Sequence, residues 1–182
     1  MPRLIHLNGP KAGGKTTLAH RYSAEHPGTL LCDIDRLRTL IGGWESDPEA
    51  AARIRTAALA LITAYLSTGY DVVLPQLVMR RDQIDRFRAA AEEAGAEYVG
   101  ILLEIEPYAA AKRLHSRGRD AGHDAWARFV LAEVAAQGGD AAFEREHAAF
   151  EAMAAGDDAL IRIKSTDLDS TYDALLKALG ER

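Results

Sequence analysis

Two sets of residues near the start of this chain have the types and spacing for chemistry on phosphate. The first is Gly9-Pro10-Lys11-Ala12-Gly13-Gly14-Lys15-Thr16, which fits the pattern G-x-x-x-x-G-K-[ST]. Gly9 and Gly14 permit backbone angles that a side chain forbids, and they let the main chain approach a polyphosphate closely. Successive N–H groups of such a loop form an anion-binding nest, and the following helix aims its positive end at the same place. Lys15 brings an ammonium to the β- and γ-phosphates, and the Thr16 hydroxyl is a hard oxygen ligand for Mg²⁺. Thr17 joins the nucleotide-facing set. The second set is Asp33 and Asp35. In an extended chain, residues two apart point to the same side. One carboxylate then serves a metal ion while the other orients or deprotonates a substrate hydroxyl. The bland alternative is a pair of solvated turn carboxylates, with Asp35 capping the next helix.

A third set is basic. Arg113, Arg117 and Arg119 lie close together in the chain. Guanidinium groups bind phosphate oxygens bidentately and stay charged. On a closing segment of about 113–125 they would cover a nucleotide and exclude water. Arg38, with Arg80 and Arg81, is a candidate contact for an anionic substrate. Trp44 and Tyr65 are read as packing residues before pocket residues. The histidines show no zinc-ligand spacing.

The elements needed to hold these residues follow the order of an α/β protein. Leu4-Ile5-His6-Leu7 reads as a buried strand ahead of the glycine-rich run. A helix over 15–25 follows, ended by His26-Pro27-Gly28. Thr29-Leu30-Leu31-Cys32 reads as a second strand that delivers the two aspartates at its carboxyl end, the side on which open parallel sheets bind ligands. A short helix is expected over 36–41, and a longer one after Pro48. Further strands are expected over 70–74, 98–103 and 159–163, each followed by a helical pattern. Alternating strands and helices imply a parallel sheet covered on both faces.

The chain as a whole restricts the choice further. Its 182 residues are expected to form a single domain. A net charge of −5 argues against broad nucleic-acid binding. Cys32 is the only cysteine, which excludes an intramolecular disulfide and fits a cytoplasmic setting. No apolar run reaches membrane-spanning length.

With those residues in hand, the chain resembles the small P-loop kinases: shikimate and gluconate kinases, chloramphenicol phosphotransferase, polynucleotide 5′-kinases and the zeta-toxin kinases. The resemblance implies a three-layer fold with a five-stranded parallel sheet in the order 2-3-1-4-5, a helical arginine lid, and ATP with Mg²⁺ as cofactors. It assigns Asp35 the role of accepting the hydroxyl proton. Asp33, the first Asp of D-x-D, would serve the magnesium alongside Thr16. Asp35-Arg36-Leu37-Arg38 is similar to the D-D-x-R of polynucleotide kinases, which would make Arg38 a substrate-phosphate contact. Arg113, Arg117 and Arg119 look like lid arginines, and Ser165 and Thr166 lie where the family borders the adenine. One departure stands out. Where many P-loop proteins carry a carboxylate at the end of the third strand, this chain has Leu74-Pro75-Gln76. The expected activity is transfer of the γ-phosphate of ATP to a small-molecule hydroxyl, with Lys15, Asp35 and Arg117 catalytic. A polynucleotide or nucleoside 5′-kinase is the alternative among enzymes, and a non-kinase nucleotide-binding regulatory module the alternative outside them. The acceptor and the oligomeric state are not written in the sequence.

Overall fold

The computed structural model describes residues 1–119, 124–157 and 159–181, without the side chains of 117–119. Its elements run in the order β1 (Arg3–Asn8), α1 (Lys15–Glu25), β2 (Leu30–Leu31), α2 (Ile34–Arg38), α3 (Ala50–Leu66), β3 (Val72–Pro75), α4 (Arg81–Glu93), β4 (Glu97–Glu104), α5 (Pro107–Arg119), α6 (Ala125–Ala136), α7 (Asp140–Ala154), β5 (Ile161–Lys164) and α8 (Leu168–Ala178). The five strands form one sheet in the order β2-β3-β1-β4-β5, and every pairing is parallel. This is the expected order.

The sheet separates two cores because its side chains alternate. Leu4 of β1, with Val72 and Leu74 of β3, packs against Ile62, Ile84 and Phe87 of α3 and α4. Ile5 and Leu7 face the other way, against Leu18 and Tyr22 of α1 and Tyr172 and Leu175 of α8. A third apolar group gathers Ala12 of the glycine-rich loop with Ala110 and Leu114 of α5, Val134 of α6 and Phe143 of α7. Helices α5 to α7 therefore stand over the carboxyl ends of the strands, next to the loop.

Two expectations are corrected. The helix after β2 begins at Ile34, not at Arg36, and Asp33 is its N-cap, accepting from Arg36 N at 3.1 Å. The Asp33–Asp35 pair is thus not extended: Asp33 caps and Asp35 sits in the first turn, where its charge suits the helix dipole. The capping role considered for Asp35 falls to Asp33. The second strand is also shorter than expected, and Cys32 beyond it is buried. Burial pushes the Cys32 thiol up to about 12, so it is an inert packing group.

Candidate active site

The glycine-rich loop is shaped by its own close contacts. At Gly13 a Cβ would lie 2.9 Å from the Pro10 carbonyl oxygen, and Gly14 has φ +91, so a side chain at either position would be strained. Gly13 N donates to Pro10 O at 3.1 Å and closes the turn. The Lys15 ammonium folds back over the loop and donates to Gly9 O and Pro10 O, both at 2.8 Å. Lys11 reaches the other way, to Glu146 of α7 at 2.6 Å.

Next to the loop, the expected nucleotide residues come together. Ser165 Oγ donates to Gly13 O at 3.0 Å and accepts from Arg113 at 3.0 Å. A second Arg113 nitrogen donates to Thr166 O. Arg113, Ser165 and Thr166 line a cleft of about 410 Å³ with Gly14 and Thr17. Three segments remote in sequence thus form one surface beside the loop. Arg117 and Arg119 lie at the end of α5, and their side chains are outside the described residues.

A larger cleft of about 570 Å³ lies on the other side of Lys15. Thr16, Asp33, Asp35 and Gln76 line it with Lys15, and α6 supplies the opposite wall through Trp126, Ala127, Val130 and Leu131. Burial, reinforced by the negative charge of Asp33, pushes the Asp35 carboxyl up to about 6, against the pull of Lys15, Gln76 and Arg38. A carboxylate poised near neutrality beside the Lys15 ammonium is chemically equipped to accept a proton. Thr16 and Asp33 offer hard oxygens on the same wall, a donor set that suits Mg²⁺.

The wall that carries Gln76 is fixed from below. His6 and Asn8 sit two apart on one face of β1, and they grip residues two apart after β3. His6 Nε2 lies 3.0 Å from Gln76 O, and Asn8 bonds both Val78 N and Val78 O at 3.0 Å. A carbonyl can only accept, so Nε2 carries the hydrogen, and Nδ1 accepts from Tyr98 OH at 2.8 Å. Burial holds the His6 imidazole neutral, down at about 4, with the Lys15 charge acting in the same direction. His6, Asn8 and Gln76 were not picked out as site residues from the sequence. The available signal was their place at the carboxyl ends of the two central strands.

Two expected substrate residues stand elsewhere. The Arg38 guanidinium lies 5.1 Å from the Phe129 ring, 5.4 Å from Trp44 and 5.8 Å from Trp126, and it does not line the cleft. Arg80 precedes α4 and is held by Asp82 at 2.8 and 2.9 Å, outside the cleft. Arg36, not singled out, does line it, with both terminal guanidinium nitrogens on Asp124 at 2.9 and 2.7 Å.

Sheet order, loop and flanking clefts define a P-loop protein of the kinase type of fold. The chain belongs to the AAA_33 family, described as an AAA domain, whose model matches residues 4–155. Solved structures of similar fold include a gluconokinase from Sinorhizobium meliloti, 19% identical, with 98% of this chain and 92% of that one covered at a TM-score of 0.64. A tunicamycin resistance protein from Deinococcus radiodurans is 16% identical, with 100% and 98% covered at 0.65. The APS kinase of Mycobacterium tuberculosis, in complex with AMPPNP and APS, is 14% identical, with 99% and 98% covered at 0.63. No curated protein matches the chain. Among the described residues, no helix is long and apolar enough to cross a membrane.

Proposed function

We propose that the protein is an ATP-dependent phosphotransferase acting on the hydroxyl of a small molecule. The observation that carries this reading is the position of Asp35: a carboxyl raised to about 6, sharing one cleft with Lys15 and Thr16. The loop amides and Lys15 hold the β- and γ-phosphates, and the adenine occupies the cleft bounded by Arg113, Ser165 and Thr166. Thr16 and Asp33 would hold Mg²⁺, which, when bound, neutralises phosphate charge. The acceptor hydroxyl lies against Asp35. Its oxygen forms a bond to the γ-phosphorus while the bond from that phosphorus to the bridging oxygen breaks. The electron pair leaves with ADP, and the hydroxyl proton passes to Asp35. Arg113, together with Arg117 and Arg119 from the end of α5, stabilises charge on the transferring group. The structural likeness to a gluconokinase and to an APS kinase supports transfer to a hydroxyl, and the likeness to a tunicamycin resistance protein is compatible with an acceptor foreign to metabolism.

The test is ATP consumption with Mg²⁺ across hydroxyl-bearing metabolites, antibiotics, nucleosides and 5′-hydroxyl oligonucleotides, read as phosphorylated product by mass. Asp35→Asn is expected to lower transfer by about 10²- to 10⁴-fold while leaving nucleotide affinity unchanged. Wild-type turnover in that variant would refute the role of Asp35. Nucleotide binding without transfer to any acceptor would favour a regulatory module instead.

A further inference from the structure

The charge on the larger cleft narrows the acceptor, provided the phosphotransferase reading above holds. Among the described residues, the cleft is lined by three cations, Lys11, Lys15 and Arg36. Lys11 is held by Glu146 at 2.6 Å, and Arg36 is held bidentately by Asp124. Lys15 belongs to the nucleotide phosphates. Arg38 stands among aromatic rings with its Nε lacking a partner and does not line the cleft, and Arg80 is paired with Asp82 away from it. Asp33, Asp35 and Glu133 add negative charge to the same lining. A carboxylate or phosphate on the acceptor would enter against these carboxylates and would have to compete for Lys11 and Arg36, which are already paired.

What the walls do offer is neutral. Gln76 is buried, and its Nε2 faces the Leu77 carbonyl oxygen at 3.5 Å and the Asp35 carboxylate. Both partners are acceptors, so the nitrogen end of the amide is assigned by them. Its Oε1 is buried with no protein partner. A buried carbonyl oxygen lacking a partner is costly, and a donor on a bound molecule relieves that cost. Opposite stand the apolar side chains of Leu114, Ala127, Val130 and Leu131 with the Trp126 ring.

We infer that the acceptor is an uncharged molecule carrying at least two neighbouring hydroxyl groups on an apolar body. One hydroxyl meets Asp35, the second donates to Gln76 Oε1, and the apolar body lies on α6. Asp124, by neutralising Arg36, is the residue that sets discrimination against anions.

The experiment uses the full chain and two matched pairs: 1-phenyl-1,2-ethanediol against mandelate, and uridine against uridine 3′-monophosphate. AMPPNP binding with Mg²⁺ is measured first by calorimetry. Acceptor binding to that complex is then followed by saturation-transfer NMR, and transfer from ATP by product mass. The neutral member of each pair is expected to be favoured by about tenfold or more in kcat/KM, the scale of leaving a charge unpaired against a carboxylate. Asp124→Asn keeps a good N-cap but releases Arg36, and it should shrink that ratio by about threefold or more. Gln76→Leu should raise the acceptor KM by about tenfold with the ATP KM unchanged, the size of one hydrogen bond. Equal or better use of the anionic members overturns the inference while leaving the kinase reading intact. So does AMPPNP binding with no binding of either neutral probe. Failure of AMPPNP to bind overturns both.

Discussion

Asp35 carries the strongest consequence at the scale of a single residue. Its carboxyl is raised from the ordinary 3.8 to about 6 by burial and by the like charge of Asp33. The ionised form is the one able to accept a proton, so kcat/KM should fall as pH drops through about 6, with the slope of one proton. Asp33→Asn removes the like charge and should move that acid limb to lower pH, whatever it does to the maximal rate. A limb that stays in place would show that burial alone sets the shift. The same displacement affects the fold. A carboxyl raised above its unfolded value contributes stability that is fully present below 3.8 and is lost as pH rises through about 6. At pH 8 the buried charge is therefore a net cost. Asp35→Asn should stabilise the protein there by about 1–2 kcal/mol by urea unfolding, even as it slows transfer. Lower stability in that variant at pH 8 would contradict the assigned environment. Asp35 itself could be picked out from the sequence by its spacing. Its environment could not, because Lys15 and Gln76 reach it from different segments.

Between elements, the contact that matters most joins α2 to α6. Helix α2 is one and a half turns long and too short to be stable alone. It carries the aspartates, and two devices pin it. The Arg36 guanidinium grips Asp124, which is itself the N-cap of α6 through Ala127 N at 3.1 Å. Arg38 sits among Trp44, Trp126 and Phe129, whose rings are 4.9 to 5.7 Å apart. Cation–ring contacts are worth about 0.5–1 kcal/mol each at exposed sites and about 2 kcal/mol when desolvated. Here the sequence was only partly legible. The loop and the bounds of α1 follow from glycine spacing and apolar runs, which are local signals, whereas the strand order comes only with the resemblance to the small P-loop kinases. The start of α2 turned on which aspartate caps it, and the D-D-x-R likeness pointed Arg38 toward a substrate. The ring cluster that holds Arg38 draws on residues far apart in the chain, so no local pattern shows it. Trp44 and Trp126 are the chain's two tryptophans, and both lie in this cluster. Tryptophan emission thus reports this junction directly. Arg38→Ala should shift the emission and raise the acceptor KM several-fold, with the ATP KM unchanged. Unaltered emission would mean that Arg38 does not hold the cluster.

Across the whole molecule, stability and chemistry lie at opposite ends of β1. The glycine-rich loop leaves its carboxyl end, whereas Arg3 opens the strand about 20 Å away at the usual rise per residue. Arg3 N donates to Asp71 at 2.8 Å, and its guanidinium reaches Asp71 at 2.7 and 3.1 Å, Tyr22 OH at 3.0 Å and the Glu181 carboxylate. Tyr22 OH in turn donates to Glu181 at 3.0 Å. These bonds tie the central strand to α1, to the residue before β3 and to the segment after α8. The Arg3, Asp71 and Glu181 side chains are about one-fifth exposed, so the pairs are shielded far better than surface ion pairs. Arg3→Ala would strand two carboxylates and a phenol in that half-dry site. A loss of about 2 kcal/mol is expected, less than for a fully buried pair, and this corresponds to a melting point lower by about 4–8 °C for a chain of this size. Asp71→Asn in a double-mutant cycle should show coupling with Arg3. Because the network is a strand's length from Asp35, kcat/KM below the melting range should be unchanged. A variant that melts normally would show that the network does not support the fold. One that melts lower and also loses activity at low temperature would show that β1 transmits disturbance along its length, against the separation drawn from its geometry.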